Sequence, residues 1–280
     1  MTRRNSLASF AAVAATPSAT PSATSAEKYI RFQQGARVSW GRVEGDDVVP
    51  LSTAPYLNGR PLGGKKPLKD LKLLAPADPP KVLAVGLNYK SHIGARAVPK
   101  EPEIFYKPTT CLIAPGAPIL IPAGAKNVHY EGELVLVLAA GGRNLTLAQA
   151  RKAIFGVTCG NDVSERDWQN GKEKDLQWWR AKGSDTFGPL GPMLVRGADY
   201  EKALLQTRLN GEVVQKQLTS DLLFDCPTIV SYISKYVTLE VGDVIYTGTP
   251  GATKRMSPGD SVEVEIEGIG VLRNPIQAGK

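Results

Sequence analysis

Only two histidines and three cysteines occur among the 280 residues, and these scarcities exclude several designs at once. Cys111, Cys159 and Cys226 are odd in number, far apart and without metal-ligand spacing. That rules out a disulfide framework and a zinc ribbon. No apolar run approaches the roughly 18 residues that a spanning helix needs, so no membrane partner is expected. Basic residues never run beyond a pair, and the formal charge of +7 is scattered among acids. A nucleic-acid partner would need a basic stripe or a known module, and neither is present. A mildly basic enzyme for small acids fits the charge better. Helical periodicity is scarce too, because 28 Gly and 21 Pro interrupt the chain with turns.

Residues 1–26 differ from the rest. Seventeen of the 26 are Ala, Ser or Thr, none is acidic, and Thr16-Pro17-Ser18-Ala19 recurs at Thr20 to Ala23. The basic start at Arg3-Arg4, followed by an uncharged stretch, outlines a disordered leader or a targeting segment. Its twin arginine resembles a Tat export signal, and its acid-free composition also suits an organellar transit peptide. Residues 27–76 read as a small β-rich subdomain of short alternating runs split by Gly and Asp. Pro76 to Pro80 form a stiff linker, and the main body spans 81–277. It carries apolar strands at Val82 to Gly86, Glu133 to Leu138, Phe155 to Cys159, Thr207 to Leu209, Val244 to Thr247, Val262 to Ile266 and Gly270 to Leu272. Asn210-Gly211 marks a tight hairpin. Helices are expected only at Leu147 to Ile154, capped by Thr146, and at Thr228 to Tyr236. The fold class is therefore mostly β (α+β). Without regular β-α-β alternation, a Rossmann sheet or TIM barrel is not expected.

The chemistry concentrates in His129-Tyr130-Glu131-Gly132-Glu133-Leu134. On a strand, Glu131 and Glu133 share one face and Leu134, Leu136 and Leu138 the other. Alone, the pair reads as the solvated end of a strand. Asp162 ends a second apolar run, and a third carboxylate brought beside the first two makes an oxygen-rich site for a hard cation such as Mg²⁺ or Mn²⁺.

Several motifs occur in a set order. They are Gly86-Leu87-Asn88-Tyr89-x-x-His92, Phe105-x-Lys107-Pro108, Tyr130-Glu131-Gly132-Glu133-Leu134 and Gly160-Asn161-Asp162-Val163-Ser164-x-Arg166-Asp167-x-Gln169. Lys182-x-x-Asp185-Thr186, Gly188-Pro189-Leu190-Gly191-Pro192, Asn210-Gly211 and Thr247-Gly248-Thr249-Pro250-Gly251 follow. Together they resemble the fumarylacetoacetate hydrolase family from Val82 to about Asn274. The resemblance implies a mixed β-sandwich or roll catalytic domain, usually a homodimer, that holds Mg²⁺ (Mn²⁺ or Ca²⁺ in some members). It implies Glu131, Glu133 and Asp162 as metal ligands, and His92 and Lys182 as catalytic residues. It further implies Arg166, Gln169 and Thr249 as substrate contacts, with Tyr89 and Lys107 in support.

The implied activity is hydrolysis of a C–C bond in a small diketo acid, an acylpyruvate or a fumarylacetoacetate-like compound from aromatic catabolism, through a metal-stabilised enolate. The alternatives on the same scaffold are decarboxylation of an oxaloacetate-like acid and isomerisation of unsaturated 2-keto or 2-hydroxy diacids. A binding protein that keeps the fold without catalysis is the remaining class. Family habit places such enzymes in the cytoplasm, unless residues 1–26 direct the chain elsewhere. Two departures stand out. Relatives carry a Glu three residues after the His where this chain has Ala95, leaving Glu101 or Glu103 as candidate substitutes. Relatives also commonly carry an Asp where His129 precedes the Tyr-Glu pair.

Overall fold

The computed structural model describes residues 26–279, so the leader expected at residues 1–26 lies outside the described residues except for Ala26. Three antiparallel strands come first: β1 (Glu27–Gln34), β2 (Arg37–Glu44) and β3 (Asp47–Leu51). The chain then forms β4 (Val82–Gly86), the single-turn helix α1 (Lys90–Ile93) and β5 (Glu103–Lys107). The central pair β6 (Gly132–Leu138) and β7 (Ile154–Asn161) is linked through α2 (Leu147–Ala153). Two short helices, α3 (Arg166–Asn170) and α4 (Trp179–Gly183), precede β8 (Gly188–Arg196). The hairpin β9 (Leu204–Leu209) and β10 (Glu212–Leu218), helix α5 (Cys226–Tyr236), β11 (Val244–Tyr246), β12 (Ser261–Ile266) and β13 (Gly270–Ala278) complete it.

Local chemistry explains most of these elements. Thr146 caps α2 in a reciprocal box with Gln149, and Asp225 caps α5 by accepting from the Thr228 N–H. The second helix thus starts two residues earlier than Thr228, because Pro227 fits a first turn that donates no N–H there. At the β9–β10 turn Asn210 (φ 53) and Gly211 (φ 86) both adopt positive φ, as a two-residue hairpin demands. Strand β8 and helices α3 and α4 were not expected. Pro189 and Pro192 mask β8, and five-residue helices are too short to show a period.

A large mixed sheet runs in the order β3-β2-β1-β8-β7-β6-β11-β4-β5, and a five-stranded sheet contains β10-β9-β12-β13. Strand β1 pairs antiparallel with β8, Tyr29 opposite Leu194, so residues 27–51 extend the sheet that carries the main body. Both faces of β6 are buried. Leu134, Leu136 and Leu138 pack with α5 and the five-stranded sheet, whereas Val135 and Val137 pack with Tyr29, Tyr56 and Tyr246. A strand sandwiched in this way reads as a continuous apolar run. The carboxylates at its start are therefore held at the edge of the core, not at a solvated end. No helix among the described residues is long and apolar enough to cross a membrane.

Candidate metal centre and active site

Register brings the three carboxylates together. Gly132 stands opposite Asn161, and Glu133 opposite Gly160, across β6 and β7. The Glu131 N–H donates to the Asn161 Oδ1 (2.8 Å), and the Asp162 N–H donates to the Glu131 carbonyl (2.8 Å). One ligand atom from each of Glu131, Glu133 and Asp162 then lies within 4.8 Å of the others. All three are nearly inaccessible, at 3%, 1% and 1% exposure. Burying carboxylates is costly without compensating charge, so what surrounds them matters.

Three cations answer, unevenly. Lys182 Nζ donates to Glu131 Oε2 (2.5 Å) and Asp162 Oδ2 (2.7 Å). Arg166 Nη2 donates to Glu131 Oε1 (2.5 Å), and Lys107 Nζ to Asp162 Oδ1 (2.6 Å). Among the described residues, Glu133 accepts only from a neutral donor, the Gly248 N–H (2.7 Å). The titrations diverge accordingly. Burial raises the pKa of Glu131, but Arg166 and Lys182 overcome it and hold the carboxylate well below its usual range. Burial and the nearby charges of Asp162 and Glu131 push Glu133 well above it. Burial opposes the Lys182 ammonium, yet Asp162 and Glu131 raise its pKa. The donor set thus fits a divalent cation. Three hard oxygens converge, and one carboxyl has no positive charge of its own to neutralise it.

A cavity of about 550 Å³ opens onto Glu131, Glu133 and Lys182, and its wall includes Arg166, Gln169 and Thr249. Arg166 Nη1 donates to the Gln169 Oε1 (2.7 Å), which fixes both side chains. Thr249 Oγ1 donates to the Gly132 carbonyl and accepts from Gln215 Nε2, both at 2.9 Å. His92 reaches the cavity from α1, with Nε2 3.8 Å from Glu131 Oε1. Its Nδ1 lies 2.6 Å from the Gly251 carbonyl. A carbonyl only accepts, so Nδ1 carries the proton and Nε2 presents its lone pair to the cavity.

The two residues expected in support lie off the cavity. Tyr89 is fully buried, does not line the cavity, and its hydroxyl has no hydrogen-bond partner among the described residues. Its ring follows β4 into the core, where burial and Glu133 raise the phenol pKa. Lys107 is also buried and does not line the cavity; it donates to Asp162 Oδ1 and to the Lys182 carbonyl. Neither candidate substitute for the missing lid acid contacts His92. Glu101 Oε2 accepts from the Tyr232 hydroxyl (3.1 Å), and Glu103 lies on β5. The Gly251 carbonyl orients the imidazole instead.

Sequence reasoning missed several residues. Asn88 ties the start of α1 to the loop after β11, donating to the Thr247 carbonyl (2.7 Å) and accepting from the Phe224 N–H (2.8 Å). Gln215 staples the Thr249 loop by donating to Thr249 Oγ1 and to the Pro250 carbonyl. Asn88 sat inside a quoted motif, but Gln215 looked like any polar residue of an alternating strand. His129 joins the outer shell. Burial, with Arg166 beside it, pushes its pKa down to about 4, so its imidazole is neutral.

Comparisons with known proteins agree with this geometry. The family model described as fumarylacetoacetate (FAA) hydrolase C-terminal matches residues 81–277, and one described as Rv2993c-like, N-terminal, matches residues 27–76. The chain is 48% identical to an uncharacterized protein from Archaeoglobus fulgidus over 76% of this chain and 84% of that one. It is 37% identical to oxaloacetate tautomerase fahd2, mitochondrial, of Xenopus laevis, over 74% of this chain and 69% of that one. Its structure resembles that of a 5-carboxymethyl-2-hydroxymuconate delta-isomerase from Mycobacterium smegmatis with a TM-score of 0.84 and 41% identity, covering 90% of this chain and 100% of the other.

Proposed function

This chain is a member of the fumarylacetoacetate hydrolase family, and on that premise we propose that it is a divalent-metal tautomerase or isomerase of small 2-oxo dicarboxylic acids. The observation that carries this reading is a single imidazole over the carboxylate site, its tautomer set by the Gly251 carbonyl and its Nε2 open to the cavity. Keto–enol conversion takes a proton from carbon and returns it to oxygen, or to another carbon, of the same molecule. One base that carries the proton between these atoms suffices. C–C hydrolysis asks for more, since a water must be activated and the departing carbon protonated.

A Mg²⁺, Mn²⁺ or Ca²⁺ ion held by Glu131, Glu133 and Asp162 supplies the positive charge that makes hydrogens beside a 2-oxo group acidic. The chain's residues do the rest. Arg166, steadied by Gln169, turns its remaining N–H groups to the carboxylate next to the 2-oxo group. Thr249 borders that carboxylate. His92 Nε2 accepts the proton from the adjacent carbon, and the Gly251 carbonyl, bonded to Nδ1–H, stabilises the imidazolium until the proton is returned. Lys182 balances the charge of Glu131 and Asp162 as the substrate carboxylate enters. Arg96 lines the cavity and is exposed, with no carboxylate within ion-pair distance among the described residues. It suits the distal carboxylate of a diacid.

Hydrolysis of an acylpyruvate is the second reading, favoured by a cavity of about 550 Å³, which is roomier than a four-carbon diacid requires. Enol decay of oxaloacetate, acylpyruvate cleavage and CO₂ release, followed side by side with Mg²⁺ or Mn²⁺, separate the possibilities. Fast enol conversion that EDTA stops is expected. His92→Ala should lower it by about two orders of magnitude or more. Arg96→Ala should raise KM for oxaloacetate while leaving a monocarboxylic 2-oxo acid unaffected. Acylpyruvate cleavage that outpaces enol conversion would move the assignment to the hydrolase, and no turnover of any keto acid would remove both readings.

A further inference from the structure

Behind Arg166 runs a chain of side chains whose hydrogen-bond directions constrain one another. Asn127 Nδ2 donates to Asp167 Oδ1 (3.1 Å), and a carboxylate can only accept, so the amide orientation of Asn127 is set. Its Oδ1 therefore faces His129 Nε2 at 2.7 Å, and that nitrogen must carry the imidazole proton. In the neutral imidazole His129 Nδ1 is then the acceptor, 2.9 Å from Thr253 Oγ1. The Thr253 hydroxyl spends its only hydrogen there. Its lone pairs are then turned towards Arg166 Nη2, which donates to Thr253 Oγ1 at 2.9 Å and to Glu131 Oε1 at 2.5 Å.

We propose that His129 is a positioning residue which, through Thr253, sets the orientation of the Arg166 guanidinium in the cavity. Thr253 and Arg166 both line the cavity, whereas His129 does not. His129 acts by holding the threonine hydroxyl with its lone pairs towards the guanidinium. Without that acceptor the hydroxyl hydrogen is free to turn towards Arg166, where it opposes the guanidinium N–H. Arg166 then keeps Glu131 Oε1 on Nη2 and Gln169 Oε1 on Nη1 but loses the third acceptor that fixes the plane of its guanidinium. The consequence for substrate rests on the proposed role of Arg166 as the carboxylate clamp, but the orientation of the guanidinium does not.

Two readouts on the full chain test this separately. In ligand-free protein, the Arg166 side-chain nitrogens should give resolved NMR signals of a slowly rotating guanidinium. His129→Ala and Thr253→Val should each average them, and the double variant should be no worse than the more affected single one. His129→Asn should restore them, because its Oδ1 can take the place of Nδ1 as acceptor. In Mg²⁺-loaded protein, the two single variants should raise KM for oxaloacetate about tenfold with kcat changed by less than about twofold, as expected for lost ground-state contacts. His129→Asn should recover most of that rise. Unchanged guanidinium signals in His129→Ala overturn the proposal. So does a loss of melting temperature and kcat together that His129→Asn fails to rescue. If wild type turns over no keto acid, the functional reading fails while the guanidinium signals still decide this one.

Discussion

Glu131 and Glu133 stand two positions apart, yet their environments drive them in opposite directions. Glu131 has two cations against it and stays ionised, whereas Glu133 meets one neutral N–H and is raised by burial, Asp162 and Glu131. Cation binding requires the Glu133 proton to leave. Metal uptake should therefore release protons, and affinity should climb as pH rises above the ordinary carboxylate range; calorimetry in buffers of different ionisation enthalpy measures both. Without metal, folded Glu133 keeps a proton that the unfolded chain gives up. Its contribution to stability is then lost as pH rises from the unfolded value through the raised folded one. Glu133→Gln removes that slope and keeps an acceptor for Gly248. The expected outcome is a metal-free variant that melts higher than wild type at neutral pH. It should bind Mn²⁺ more than about 100-fold more weakly, since even an outer-shell partner is commonly worth about 10–100-fold. Equal metal affinity would contradict the assigned ligand set.

At the scale of elements, the β6–β7 register decides whether the carboxylates meet. Gly132 sits between Glu131 and Glu133, where a Cβ would lie 2.1 Å from Thr207 Oγ1 on β9. That hydroxyl is buried and has no hydrogen-bond partner among the described residues. The five-stranded sheet thus presses against the start of β6 at a point only glycine allows. Gly132→Ala should destabilise the protein by about 1–3 kcal/mol in urea unfolding, the usual cost of overpacking a core, and should weaken metal binding as the neighbouring carboxylates shift. Adding Thr207→Ala should recover most of the stability, because it removes the obstructing atom. A double variant as unstable as the single one would show that the clash lies elsewhere.

For the whole molecule, β1 joins residues 27–51 to β8, and Tyr29 and Tyr56 share a core cluster with Val82, Val135 and Tyr246. Sequence reading set residues 27–76 apart, behind a proline-rich linker. The shared sheet and core couple the two parts energetically. Calorimetry should record one cooperative unfolding transition, and Mg²⁺ or Mn²⁺ should shift all of it upwards, by about 2.7 kcal/mol when free metal is 100 times its Kd. Two separate transitions, with one indifferent to metal, would show that the N-terminal strands unfold alone.

What the amino-acid sequence determined by itself is whatever consecutive residues encode. Its patterns place most strands, the cap at Thr146, the Asn210-Gly211 hairpin, and the acidic motifs at Glu131, Glu133 and Asp162. Side-chain period, cap chemistry and turn preferences are local, and they survive without a fold. The tertiary structure decided what those residues face. His92 takes its orientation from a carbonyl 159 positions away, at Gly251, rather than from an acid in the following loop. Tyr89 and Lys107 share motifs with the site but are buried off the cavity, while Gln215 reaches the Thr249 loop from the return strand of the Asn210-Gly211 hairpin. Contacts of that span depend on how two sheets pack, and packing is a balance of burial and charge summed over the molecule, which leaves no periodic trace in any one segment.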